Sequence, residues 1–289
     1  MGGDVGLSQD AITLTSHLVD YKPHVILIGG DIAYDDGMDT CFYSWDNFYS
    51  IFEGLNRNMS RIVPMILTVG NHDVGFDALA SVEKEYTNLE NTPYFFVFNP
   101  QEIRNGKIPA YNERSSFHTH KIGPTIHVHL DSGYVNSYSS QVYLIKYVNT
   151  QHRTFYKFAN YHNPLYPSCT VNETNSNDMN VISNGTEYWT PHFDNGSYTA
   201  IFEHHTHHRK FTKKIKGDKV IDDETSDGIR YVGDGSWGVP EGGCGAHRQT
   251  KRPEYFEYMD HGEPNHIWLL TLKRKSIVQH GLNYTAIDL

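Results

Sequence analysis

Two apolar runs, each broken by glycine and followed at once by polar residues, constrain this chain most. "PHVILIGGD" (Pro23 to Asp31) and "VPMILTVGNHD" (Val63 to Asp73) share that form. Uninterrupted apolar runs of this length predict strands buried on both faces. Between them, "MDTCFYSWDNFYSIFEGL" places apolar residues three and four apart, which predicts a helix. Strand, helix, strand is the unit that joins parallel strands by a crossover. Sheets of that kind put their chemistry in the loops beyond the carboxyl ends of the strands. Asp31 and the tripeptide Asn71-His72-Asp73 occupy such positions.

The same rhythm continues. "TIHVHLDSG" (Thr125 to Gly133), "TFYKFANYHNPLYPS" (Thr154 to Ser168), "SYTAIFEHHTH" and "GIRYVGDGSWG" each predict a strand running into a polar loop. "NHIWLLTLKRKSIVQHGLNYT" predicts a closing β-hairpin. The segment from Ser168 to Pro191, rich in Asn, Ser and Thr, reads as an exposed loop. With no repeat, coiled coil, low-complexity tract or linker, residues 1–289 read as one α/β domain.

Composition removes several classes. A net charge of −10 without a basic block disfavours nucleic acid, whose binding depends on many Lys/Arg–phosphate contacts. No apolar run approaches the length of a membrane span. Eighteen histidines would pull the charge towards zero in an acidic compartment, where a phosphate anion is repelled less. Three cysteines, Cys41, Cys169 and Cys244, are too few for a disulfide framework, and Cys169 and Cys244 are expected to pack or pair. Sequons at Asn58, Asn172, Asn184, Asn195 and Asn283 hint at secretion, whereas "MGGDVGLSQD" has no leader pattern.

The densest histidine stretch is "FEHHTHHRKFTKK" (Phe202 to Lys214). If the strand continues through it, His205 and His207 share a face with backbones about 7 Å apart, while His204 and His208 face away. That spacing suits two ions side by side better than one ion held by both rings. Lys210, Lys213 and Lys214 read as a solvated face.

Taken in order, the polar residues at the strand ends are Asp4 in "GDVG", Asp31 and Tyr34 in "GDIAYD", Asn71-His72-Asp73 in "GNHD", His162 in "NYHNPLYPS", and His205 and His207 in "HHTH". Singly these have plain alternatives: Asp31 and Asn71 as turn formers, Tyr34 as packing, His162 as a loop histidine. As an ordered series they resemble the purple acid phosphatases, a branch of the calcineurin-like metallophosphoesterases whose five blocks run GDxG, GDxxY, GNH(D/E), VxxH and GHxH. The resemblance covers nearly the whole chain. It implies a metallophosphoesterase-type β-sandwich of two mixed sheets flanked by helices.

It also implies a two-metal site. Asp31 would bridge the ions; Asp4, Tyr34 and His207 would complete an Fe(III) site; Asn71, His162 and His205 would hold a second, divalent ion (Fe, Zn or Mn). Hard oxygen donors suit Fe(III), while imidazole and amide suit the divalent ion. The implied reaction is hydrolysis of a small phosphate monoester by a metal-bound hydroxide. His72 would orient the phosphate or protonate the leaving oxygen, and Asp73 would fix the His72 tautomer by a hydrogen bond.

The chain departs from the pattern in three places. Only Met1 and Gly2 precede "GD", so the first strand is expected to be missing, the natural start to lie upstream, and Asp4 to sit at a fraying end. His204 replaces the Gly of the fifth block, where a β-carbon would crowd a backbone needing positive φ. The segment from Tyr134 to Phe155 looks short for a connecting helix. A secreted, lysosomal or vacuolar protein is expected if the start lies upstream, a cytoplasmic one otherwise. The rival functions are a non-catalytic family member acting by binding and a phosphodiesterase. Substrate and oligomeric state are not readable.

Overall fold

The computed structural model describes residues 1–38, 41–74, 107, 114–151, 156–169, 176–221, 227–233, 235–239, 253–260, 265–273, 276–282 and 287–288. Cys244 and the sequons at Asn172 and Asn283 lie outside them. Cys169 is disulfide-bonded and Cys41 is a free thiol. Among the described residues, no helix is long and apolar enough to cross a membrane.

The strands are β1 (Ile26–Ile28), β2 (Met65–Leu67), β3 (His118–Ile122), β4 (Thr125–His129), β5 (Tyr156–Asn160), β6 (Ala200–Glu203), β7 (Arg209–Thr212), β8 (Lys214–Lys216), β9 (Lys219–Ile221), β10 (Arg230–Gly233), β11 (Phe256–Asp260), β12 (Ile267–Lys273), β13 (Ser276–Leu282) and β14 (Ile287–Asp288). Seven form one mixed sheet in the order β11-β7-β10-β6-β5-β4-β3. Its centre, β10-β6-β5-β4, is parallel, and its flanks are antiparallel.

The helices are α1 (Gln9–Tyr21), α2 (Tyr43–Met59), α3 (Asn71–Val74), α4 (Tyr138–Thr150), α5 (Ser176–Tyr188) and α6 (Thr190–Gly196). Ser8 caps α1 by accepting a hydrogen bond from the Ala11 amide, and Lys22 ends it in the left-handed region. The buried stripe of α2 is Trp45, Phe48, Phe52 and Leu55, the three-and-four spacing read from sequence. With Leu14 and Leu18 of α1 it packs on β1 and β2. Burying each such side chain is worth roughly 1.5–3 kcal/mol.

On the large sheet, alternation divides the two faces. Ile126, Val128, Ala159, Tyr161 and Ile201 pack with Ile145, Trp189 and Phe193 from the α4–α6 side. Phe158, Phe202 and Val232 point the other way and meet Trp268 of β12. The molecule is therefore a sandwich in which the seven-stranded sheet faces a second layer, β1-β2 and β12-β13-β14 linked through Met1 and Gly2, with helices on both outer faces.

Three expectations need correction. A strand stub does precede Asp4: Met1 and Gly2 lie between β12 and β1. Met1 exchanges hydrogen bonds with Trp268, and Gly2 bridges to Ile28 in parallel. Residues 134–155 do hold a full connecting helix, the 13-residue α4, capped by Ser137. The expected exposed loop before Pro191 is instead largely helical, as α5 and the start of α6.

Candidate metal centre

Every proposed ligand leaves the carboxyl end of a strand. Beyond the Met1–Gly2 stub, the chain runs alongside the loop after β1: the Asp4 amide donates to the Gly30 carbonyl and the Val5 amide to the Asp31 carbonyl. Asn71 and His72 open α3 after β2, His162 follows β5, and His205 and His207 follow β6. Strand β6 ends at Glu203, so the two histidines sit on a loop and not on one strand face.

Backbone conformation marks the same residues. Asp4, Asp31, Tyr34, His205 and His207 all have positive φ, between 51° and 80°. Such conformations cost a non-glycine residue on the order of 1–3 kcal/mol each and cluster where side chains are held for a task. His204 is not among them, so the β-carbon conflict expected at its own backbone does not arise. Its ring needs room of a different kind. A Cβ on Gly29 would lie 1.9 Å from the ring, and one on Gly3 would lie 2.7 Å away. These two glycines make the space for His204, whose Nε2 pairs with Asn160 Oδ1 at 2.8 Å.

The side chains converge. Asn71 Oδ1 lies 3.0 Å from both His162 Nε2 and His205 Nδ1, and those two nitrogens are 3.2 Å apart. Asp31 Oδ2 is 3.2 Å from His162 Nε2. On the other side, His207 Nε2 is 3.0 Å from Asp4 Oδ1 and 3.5 Å from the Tyr34 hydroxyl. The two groups meet where His162 Nε2 stands 3.9 Å from Asp4 Oδ1. Asp4 is fully buried and its other oxygen accepts the His205 amide at 3.0 Å, so it is anchored and not frayed. Glycine lets the backbone come this close: a Cβ on Gly70 would lie 2.3 Å from Asp31 Oδ1.

The electrostatics are those of a site built for positive charge. Burial would raise Asp4 and Asp31, but neighbouring imidazoles, His207 and His162 on Asp4 and His162 on Asp31, hold both below the usual carboxylate range. Burial would depress His162, yet Asp31 and Asp4 push it up to about 9. Burial, with the nearby His162, brings His205 down to about 4, leaving a neutral ring with a lone pair to donate. Asp31, His162 and His205 already bring one ligand atom each within 4.8 Å of one another. Two carboxylates, an amide oxygen, a phenol and three imidazoles fit oxygen- and nitrogen-liking metal ions.

His72 and Asp73 divide differently from expectation. The Asp73 carboxylate accepts the backbone amides of Asp31, Ile32 and Gly70 at 2.9, 2.9 and 2.7 Å, which locks the ligand loop. The His72 ring instead pairs through Nδ1 with Asp36 Oδ1 at 2.6 Å and lies against Tyr34, with ring centroids 4.5 Å apart. Burial would lower the His72 imidazole, but the Asp36 bond and the charges of Asp31 and Asp36 together raise it. Sequence reading missed Asp36, although "YDDG" sets two acids directly after Tyr34.

Lys210 is the other correction. Far from being solvated, it is fully buried and pairs with Glu203 at 2.6 Å. Glu203 also accepts from the Tyr161 hydroxyl and the Leu165 amide, at 2.7 and 2.8 Å. This ion pair closes the base of the loop that carries His204 to His208.

Comparison with known proteins bears on the fold and the family. Among solved structures, the fold is similar to a purple acid phosphatase, PPD1, from yellow lupin (Lupinus luteus) seeds, with TM-score 0.68 and 16% identity. That match takes in 99% of this chain but 52% of the lupin chain, so this chain spans about half the length of that enzyme. GAP50, the anchor in the inner membrane complex of Plasmodium, gives TM-score 0.59 and 12% identity over 99% of this chain and 86% of its own. PhoD gives TM-score 0.60 and 9% identity over 97% and 62%. No curated protein matches the chain in sequence. The profile of the calcineurin-like phosphoesterases matches residues 3–219, a span that contains every one of the converging side chains. By that match, and with a fold to suit it, the chain belongs to the calcineurin-like phosphoesterase family.

Proposed function

We propose that this phosphoesterase is a binuclear hydrolase of small phosphate monoesters. The observation that carries the reading is the convergence of Asp31, Asn71, His162 and His205 on one buried point, with Asp4, Tyr34 and His207 grouped beside it. Asp31 would be shared between the two ions, the second set would suit Fe(III), and the first would suit a divalent Fe, Zn or Mn ion. When bound, the ions supply Lewis acidity to water and to the phosphoryl oxygens. The protein positions that chemistry through backbone amides on Asp73 and through the strained left-handed ligand residues. His72, held at Nδ1 by Asp36, presents Nε2–H at the partly open rim, where it meets the phosphate and gives a proton to the leaving oxygen.

The test is turnover of p-nitrophenyl phosphate by protein loaded with Fe and Zn or Mn, alongside metal content by mass spectrometry. Two equivalents of metal, with both binding and turnover lost in Asp31→Ala, are expected. A folded protein that takes up no metal would end the proposal. A second reading, binding without catalysis, draws on the likeness to GAP50, which this chain covers more completely than the phosphatase. Turnover above that of Asp31→Ala excludes it.

A further inference from the structure

Strands β3 and β4 carry the pattern His-x-His twice, and their antiparallel register sets His118 opposite His129 and His120 opposite His127. Directly paired residues point to the same side of a sheet, so four imidazoles stand on one face. Alternation with Ile126 and Val128 makes it the inner face of the sandwich. The rings of His118 and His129 stack at 4.8 Å, and His120 lies 4.9 and 5.9 Å from them. His127 is 6.3 Å from His129.

Three of these rings, His118, His127 and His129, have one nitrogen in a hydrogen bond and the other without one. His118 Nε2 lies 3.0 Å from the Leu67 carbonyl, so it carries the proton and Nδ1 holds the lone pair. Thr125 donates its hydroxyl to the Ile122 carbonyl and so accepts from His127 Nε2 at 2.8 Å, which again leaves the lone pair on Nδ1. His129 Nδ1 is 2.9 Å from the Thr68 hydroxyl, which serves either tautomer, and 3.4 Å from Asn160 Nδ2, which also donates to Thr68. With Nδ1–H given to Thr68, the lone pair falls on Nε2. The opposite nitrogens, His118 Nδ1, His127 Nδ1 and His129 Nε2, are buried with no hydrogen-bond partner. Buried ring nitrogens without partners are uncommon and call for an explanation. A ring steered at one nitrogen by a carbonyl or hydroxyl, with the other free, is the arrangement that orients metal-binding histidine.

We propose a second metal site, separate from the phosphoesterase centre, in which His118 Nδ1, His120 and His129 Nε2 bind one borderline divalent ion of the Zn2+, Co2+, Ni2+ or Cu2+ class. Imidazole-only donors select such ions over Mg2+ or Ca2+. Burial already keeps the rings in the neutral, ligating form, with His118 and His127 brought down to about 3. Among the described residues only Asp31, His162 and His205 have three ligand atoms gathered within 4.8 Å, so this site closes by movement. His120 supplies that movement. It is half-buried and makes no hydrogen bond among the described residues, so it can turn towards the stacked pair.

The experiment uses the full chain, stripped of metal and titrated with Co2+ alone, in an Asp31→Ala/His205→Ala background that disables the first centre. About one equivalent of Co2+ with the visible spectrum of nitrogen ligation is expected, displaced by Zn2+. Affinity should fall on the order of tenfold or more in His120→Asn, the substitution that disturbs packing least, and further in His118→Asn. Loss of the Co2+ signal in folded His120→Asn supports the site. A background protein that binds no Co2+, or binding untouched by both asparagine variants with circular dichroism unchanged, overturns it. The phosphoesterase reading is unaffected either way, because that centre is tested with Asp31 and His205 in place and this site with both replaced.

Discussion

His72 shows how much depends on a single contact. Its Nδ1 is held by Asp36, and the raised imidazole pKa favours the doubly protonated ring, whose Nε2–H is the proton it would give. Asp36→Asn should lower kcat on the order of tenfold or more while KM changes little. If His72 is the proton donor, His72→Asn should cost much more on an alkyl phosphate than on p-nitrophenyl phosphate, whose leaving group needs little help. Equal losses on both substrates would assign His72 to phosphate binding alone. Tyr34 offers an optical test: protein loaded with Fe(III) should be purple, and Tyr34→Phe should bleach it while retaining iron. Of the proposed ligands, Asp31 and Asn71 stood out in the sequence because each follows an apolar run and a glycine, and the others stood out by their order in the series. Asp36 was not, since its role depends on where a turn aims it. Asp73 was misassigned because sequence adjacency to His72 said nothing of the three amides that its carboxylate meets.

At the scale of elements, the β6–β7 loop depends on what closes it. Lys210→Met leaves Glu203 buried without its cation and should destabilise the protein by about 3–5 kcal/mol, read from urea denaturation. No change in the midpoint would show that Tyr161 and Leu165 alone satisfy the carboxylate. Around the same loop, Gly29→Ala should cost roughly 1–3 kcal/mol through overlap with the His204 ring, and His204→Ala in the same chain should restore part of it. Additive effects would mean that the two do not press on each other. Strands were readable wherever alternation or an apolar run stood alone. Helix α5 was not, because Asn, Ser and Thr favour loops by their own hydrogen bonding. Tertiary packing prevails there: Gly185 leaves room for Leu165 so close that a Cβ would lie 2.2 Å away.

For the whole molecule, the sandwich joins its smaller sheet through Met1 and Gly2 and keeps a layer of histidines between its sheets. That layer sets a pH limit. His118 and His127 are lowered by burial to about 3, whereas the unfolded chain takes up the proton near pH 6.5. The unfolded state therefore gains protons first, and stability is lost as pH falls from about 6.5 towards 3. For the metal-free protein the loss should be on the order of 2–4 kcal/mol by pH 5, measured by urea melts across that range. A flat profile would mean that the rings are hydrated in the folded state. The central claim, that separate loops gather their donors around two ions, is tested most directly by anomalous diffraction from crystals grown with iron and zinc. Two adjacent peaks enclosed by Asp4, Asp31, Tyr34, Asn71, His162, His205 and His207 are predicted. A single peak there, or none in a well-ordered pocket, would contradict the account.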